Sequence, residues 1–181
     1  MNKTRYSNTY ILGGTMQISL LLQSVFYDRP RMIRQVRSLV RDDKDLQLFI
    51  QSLPANDPFR SEALLRLKRR YRMLDQMRRH HIQWLDIEHA NYPAQFHQLP
   101  DPPMGIFYKG NIMNHNMKCL GLVGSRKASV MAPYRIESMM ALITGYCIVS
   151  GGALGVDAMA HQEALNHGLP TIAVLASGLD S

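Results

Sequence analysis

Apolar positions along the first half of the chain recur at helical spacing, and along the second half they gather into short runs separated by glycine turns. From Met16 to about Trp84 the period is three to four residues. Leu64, Leu67, Tyr71 and Leu74 form one such series, on a helix expected to start after Asp57-Pro58 and to end near His80-His81. Residues 86–104 then become rich in Pro, His and Gln, with Tyr92-Pro93, Leu99-Pro100 and Asp101-Pro102-Pro103. Prolines at this density end helices and predict an extended linker. Gly105-Ile106-Phe107-Tyr108-Lys109-Gly110 reads as a short aromatic strand closed by a Gly-Asn turn.

After residue 118 the pattern alternates regularly. The apolar run 119–123 predicts a strand, Pro133 to Thr144 a helix, 147–150 a strand, Val156 to Asn166 a helix and 171–175 a third strand. Pro133 suits the first turn of its helix, and Gly145 and Gly168 stand past helix ends where a left-handed cap favours glycine. Right-handed crossovers then place the three strands parallel, in the order 3-2-1. The expected fold class is therefore α/β: a small N-terminal helical domain plus the first half, β-α-β-α-β, of a parallel sheet. The expected boundaries are a loosely ordered N-terminus at 1–15, a helical domain at 16–85, the linker at 86–104 and the sheet domain at 105–181. Only six residues follow Leu175, too few to cover the far side of the first strand, so the expectation is a piece of a longer fold.

Charge sharpens this division. Residues 1–100 carry 16 Lys and Arg against 9 Asp and Glu, and residues 101–181 carry 5 against 5. A polyanion is the natural partner for such a basic half, although a solvated helix face explains Arg66, Lys68, Arg69, Arg70, Arg72, Arg78 and Arg79, or the basic stretch Arg31 to Arg41, equally well. Cys119 and Cys147 have no metal-ligand spacing and read as small core residues in a reducing compartment. The N-terminus lacks the basic-then-apolar order of a secretory signal, and the apolar stretch 139–156 is broken by Gly145, Ser150, Gly151, Gly152 and Gly155. A cytoplasmic protein is expected.

Candidate chemistry gathers where strands hand over to helices. Gly124-Ser125-Arg126 follows the first strand and Ser150-Gly151-Gly152 the second. Small residues bring the backbone close to a ligand, free N–H groups at a helix start attract anions, and the planar guanidinium of Arg126 can hold two phosphate oxygens. These six residues are the predicted phosphate-binding set. Lys127, Ser177, Gly178, Arg69 and Arg70 are candidate auxiliary contacts. Asp157, in the first turn of its helix, favours the dipole there, and His161 one turn later is expected to form a hydrogen-bonded structural pair with it; no third ligand completes a metal site. Trp84 and Tyr92 are expected to pin the linker rather than stack on bases. No catalytic residue and no cofactor are expected.

Leu122-Val123-Gly124-Ser125-Arg126-Lys127-Ala128-Ser129, Val149-Ser150-Gly151-Gly152-Ala153-Leu154-Gly155-Val156-Asp157, Ala160-His161, Ala164-Leu165, Thr171-Ile172-Ala173-Val174-Leu175 and Gly178-Leu179-Asp180 occur in an order and spacing that resemble the DprA/Smf family of DNA-processing proteins. Upstream, Tyr92-Pro93, Asp101-Pro102-Pro103 and Tyr108-Lys109-Gly110-Asn111 fit the same pattern, so the resemblance runs from about Ile82 onward. It implies a Rossmann-like domain and a non-enzymatic, cytoplasmic protein. Such a protein binds single-stranded DNA during natural transformation, helps load the RecA recombinase and allows a homodimer. It also implies that Gly124, Ser125 and Arg126 meet DNA phosphates, with Ser150 and Gly151 as the facing wall. Gly152 departs from the larger apolar residue usual in the family. The alternative is a phosphoribohydrolase of the lysine-decarboxylase-like group, whose Gly-Gly-x-Gly-Thr loop and catalytic Glu have only Gly151-Gly152-Ala153-Leu154-Gly155 and Val156-Asp157 as counterparts here.

Overall fold

The computed structural model describes residues 15–111 and 117–179, which divide into two compact units on either side of the gap. The expected loose N-terminus falls on residues outside that description, except for Thr15, which opens the first helix. None of the helices among the described residues is long and apolar enough to cross a membrane.

The first unit runs α1 (Thr15–Phe26), α2 (Pro30–Arg37), α3 (Asp43–Ser52), α4 (Pro58–Arg79), β1 (Gln83–Asp86), α5 (Ala94–His97) and β2 (Gly105–Tyr108). Local chemistry explains the helix starts. The Asp42 carboxylate accepts from the Asp45 N–H at 2.8 Å, and Asp57 accepts from Phe59 at 2.9 Å just ahead of Pro58. Leu22, Phe26, Ile33, Leu46, Ile50 and Phe59 fill one core, with the Phe26 and Phe59 rings 5.6 Å apart. α4 buries Phe59, Ala63, Leu67 and Met77. The predicted stripe is thus rotated: Leu67 belongs to it, whereas Tyr71 is 65% exposed. Capping by Asp57 starts the helix as expected, but the flank that α1 and α3 cover is decided by packing.

The aromatic strand predicted to open the sheet domain at residue 105 instead pairs antiparallel with β1, Gln83 opposite Tyr108 and Asp86 opposite Gly105. Trp84 is the reason. Its ring lies over Gly105, where a Cβ would collide with it, meets the Phe107 ring at a 58° tilt with centroids 4.7 Å apart, and donates its indole N–H to the Ser19 hydroxyl at 3.2 Å. The predicted linker is folded into this unit: Tyr92 is buried, and its hydroxyl donates to the Pro103 carbonyl at 2.6 Å. Burial, with the Asp86 charge as a lesser cause, raises the Tyr92 pKa above its ordinary value. Asp86, also buried, accepts from Ser19 and from Arg37 at 3.3 Å.

The second unit runs β3 (Lys118–Gly121), α6 (Ala132–Met140), β4 (Tyr146–Gly151), α7 (Val156–Asn166) and β5 (Thr171–Val174). It is the expected β-α-β-α-β unit, with a parallel sheet in the order β3-β4-β5, Cys119 opposite Cys147 and Ile148 opposite Thr171. α7 ends as the sequence requires. Gly168 adopts φ +67°, its N–H donates to Leu165, and the Leu169 N–H donates back to Ala164 at 2.8 Å. Ile136, Met140, Ile148, Ala160 and Ala164 form the core between helices and sheet. Cys147, in the central strand, is buried, and that burial pushes its thiol up to about 11. Cys119 departs from its expected core position and is exposed, because it sits on an outer strand.

Candidate nucleic-acid interface

All the loops that leave the carboxyl ends of β3, β4 and β5 emerge at one rim of the sheet, which is where parallel α/β sheets place ligands. The first loop and the start of α7 are locked together. Gly155, at φ +85° and ψ −129°, lies so close to the first loop that a Cβ there would stand 2.3 Å from the Ser125 carbonyl oxygen and 2.6 Å from that of Arg126. Only glycine accepts that backbone and that approach. The Val156 N–H donates to the Ser125 carbonyl at 3.2 Å, and a Cβ on Gly124 would meet the Val156 side chain at 2.8 Å. Deeper in, the Ser150 hydroxyl donates to the Leu122 carbonyl at 2.6 Å, so β4 holds the exit of β3.

Asp157 sits between both predicted loops. It is 7% exposed, accepts from the Gly124 N–H at 3.4 Å, and its second oxygen lies 2.5 Å from the place a Gly151 Cβ would occupy. The sequence marks this residue as a helix-dipole partner; its larger task is to bracket the two turns, which only the long-range approach of residues 124 and 151 reveals. The predicted bond between Asp157 and His161 is not what the ring nitrogens make. His161 Nε2 donates to the Gly151 carbonyl at 2.9 Å, and Nδ1 lies 2.6 Å from the Thr171 hydroxyl, so this side chain ties β5 to the second loop.

The picture of free N–H groups therefore changes. Gly124 and Val156 spend theirs inside the rim, and the helix after the first loop begins only at Ala132. Ser125 closes a local turn, donating to the Lys127 carbonyl and accepting from the Lys127 N–H, each at 3.1 Å. What the rim offers an anion is Arg126. Its side chain is exposed and makes no ion pair among the described residues. Lys127 is exposed beside it. Gly152 packs toward Leu175, whose side chain fills the space a Cβ at residue 152 would need. Ser177 and Gly178 are exposed just beyond β5.

Arg69 and Arg70 belong to α4 in the first unit. Arg70 is committed to the fold: it pairs with Asp43, donates to the Leu67 carbonyl at 2.8 Å and donates to the Tyr71 hydroxyl at 2.8 Å. Arg69 is exposed without an ion pair among the described residues. Arg66 is likewise occupied, by Asp28 and Glu62 at 2.6 Å each. Among the described residues no group of three His, Cys, Asp or Glu side chains is placed to hold a metal ion.

Residues 83–181 match the DNA recombination-mediator protein A family. Over 90 residues, 49% of this chain and 32% of the relative, the sequence is 39% identical to the DNA processing protein DprA of Streptococcus pneumoniae. Over 93 residues, 50% of this chain and 30% of the relative, it is 34% identical to the protein Smf of Borreliella burgdorferi. The X-ray structure of DNA processing protein A from Streptococcus pneumoniae has the same fold, with a TM-score of 0.64 at 24% identity over 93% of this chain and 60% of that one. The matched segments span about a third of the length of the two curated relatives. From the family match, which covers more than half of the residues and contains every loop of the rim, the chain belongs to the DNA recombination-mediator protein A family, that of the DprA and Smf proteins.

Proposed function

We propose that the rim of the second unit binds single-stranded DNA by its phosphates without reading sequence, as the DNA-gripping part of a recombination mediator in the cytoplasm. One observation carries this reading: Arg126 is an exposed guanidinium with no ion pair among the described residues, on a loop held by backbone contacts to Gly155 and Val156 and by the Asp157 carboxylate. A cation on a fixed loop loses little freedom when it grips a phosphate, and its planar fork suits two oxygens. The Asp157 charge is turned inward onto Gly124, so it opposes an anion less than an exposed carboxylate would. The role is binding rather than catalysis, since this carboxylate is engaged in structure. Assistance in loading RecA and pairing with a second copy of the chain are the family-level parts of the same proposal.

Binding of a labelled oligothymidylate, followed by fluorescence anisotropy across a salt series, tests it. Arg126→Ala should weaken binding about tenfold, the scale of one lost hydrogen bond to a charged group. It should also reduce the slope of log affinity against log salt by about 0.7, the value for one phosphate on a single strand. Lys127→Ala should have the smaller effect. An Arg126→Ala protein that binds as the parent does, with the same slope, would remove the rim as the DNA site.

A further inference from the structure

On α4 the cations fall into two groups. Beyond the half-buried Arg60 of the first turn, Arg66, Arg70 and Arg79 are paired with acids, whereas Lys68, Arg69, Arg72 and Arg78 are exposed and make no ion pair among the described residues. Tyr71 stands among the second group, 65% exposed, with the Arg70 guanidinium 4.1 Å over its ring and bonded to its hydroxyl at 2.8 Å. Arg70 is itself anchored to Asp43 on α3, so the ring is held in one pose. At about 100° per residue, Lys68 and Arg78 lie about 60° and 20° round the helix from Tyr71, one turn before it and two turns after. They make a line about 15 Å long, at a rise of 1.5 Å per residue: cation, aromatic ring, cation. The acid that α4 places on this flank, Asp75, is paired with Arg79 at 2.7 Å, and the nearby Asp43 of α3 is paired with Arg70.

We propose that this flank of α4 is a second contact surface for single-stranded nucleic acid, in which an unpaired base stacks on Tyr71 while Lys68, Arg72 and Arg78 hold backbone phosphates. A duplex does not fit this chemistry, because its base faces are covered by neighbouring bases. A lipid surface does not fit either, since the apolar side of α4, Phe59, Ala63 and Leu67, is spent in the core. The surface lies in the unit that does not contain Arg126, so the two sites fail separately.

The test uses the whole chain with an oligothymidylate, an abasic deoxyribose-phosphate oligomer of the same length, and polyglutamate as competitor. Tyr71→Ala should weaken oligothymidylate binding about tenfold, within the range of one base–aromatic stack, and should leave abasic binding unchanged. Tyr71→Phe should retain the parent affinity. Lys68→Gln with Arg78→Gln should lower the salt slope by about 1.4 on both oligomers, corresponding to two phosphates. Thermal melting checks that these exposed changes leave the fold intact. Equal loss on the abasic oligomer, competition by polyglutamate as strong as by oligothymidylate, or parent-like binding by both variants would each overturn the α4 surface. If Arg126→Ala alone weakens binding, the rim stands and this surface falls; if only the α4 variants do, the reverse holds.

Discussion

The two units hold themselves together by different means. In the first, charges are cross-links: Arg37 joins α2 to the buried Asp86 and to Glu88, Arg66 joins α4 to Asp28, and Arg70 joins α4 to α3 through Asp43. In the second, glycine contacts, backbone hydrogen bonds and the single carboxylate of Asp157 lock the loops, and Arg126 is left outside that network. The basic half of the chain therefore spends part of its charge internally, in Arg37, Arg66 and Arg70, and leaves Lys68, Arg69, Arg72 and Arg78 of α4 without an ion pair among the described residues. The half with no net charge keeps the Arg126 guanidinium exposed and without an ion pair among the described residues. Charge counts along a sequence consequently point less well to an anion site than the subset of cations with no acidic partner.

Three experiments sharpen or break this contrast. The largest effect should come from Gly155→Ala. It forces a Cβ into two carbonyl groups at a positive φ, and the combined strain and overpacking should cost about 4 kcal/mol. Hydrogen exchange should show the loss in the second unit, across β4 and α7, while the first unit stays protected. If both units lost protection together, their independence as folded bodies would be refuted.

Arg37→Met comes next. Asp86 is 3% exposed, and removing its cation leaves a buried carboxylate with, among the described residues, the Ser19 hydroxyl and the Glu88 N–H as its partners, at a cost of about 3 kcal/mol. Trp84, the single tryptophan, sits beside this cluster and reports its unfolding in urea. A midpoint unchanged from the parent would show that the ion pair is dispensable and that charge is not the cross-link claimed for this unit.

The smallest effect concerns Asp28. The hydrogen bond from Arg66 holds its carboxyl below the ordinary 3.8. A depressed carboxylate contributes stability that is fully present above that ordinary value and is lost as pH falls through the lower folded one. Asp28→Asn should therefore be less stable than the parent at neutral pH and converge with it in strong acid. The gap should be slight, because Asp28 is 44% exposed and water screens the pair. A gap that widened on acidification would have the wrong sign.

Much of the second unit was legible in the residues. Its alternation of apolar runs and helical stretches, Pro133 near a helix start and Gly168 past a helix end all act within a few residues of themselves, and the parallel order follows from the handedness of crossovers. The first unit was legible only as helices. Leu67 and Tyr71 stand at helical spacing in one series, and nothing local says that α1 and α3 cover the first and leave the second to solvent. The strand at Gly105 is legible as a strand, but its partner is not, because the space for Trp84 above that glycine is a contact across 21 residues.

At the rim the sequence by itself determined which residue types were present: two small-residue turns after strands, and an arginine in the first. Those follow from backbone preferences that each residue carries wherever it stands. It took the folded arrangement to bring Gly155 against Ser125, the Gly124 N–H to Asp157 and His161 to Gly151 and Thr171, and to leave Arg126 without an acid among the described residues. Whether a charged group is spent or free depends on which groups from elsewhere in the chain arrive within hydrogen-bonding distance, and the order of residues along the chain does not contain that distance.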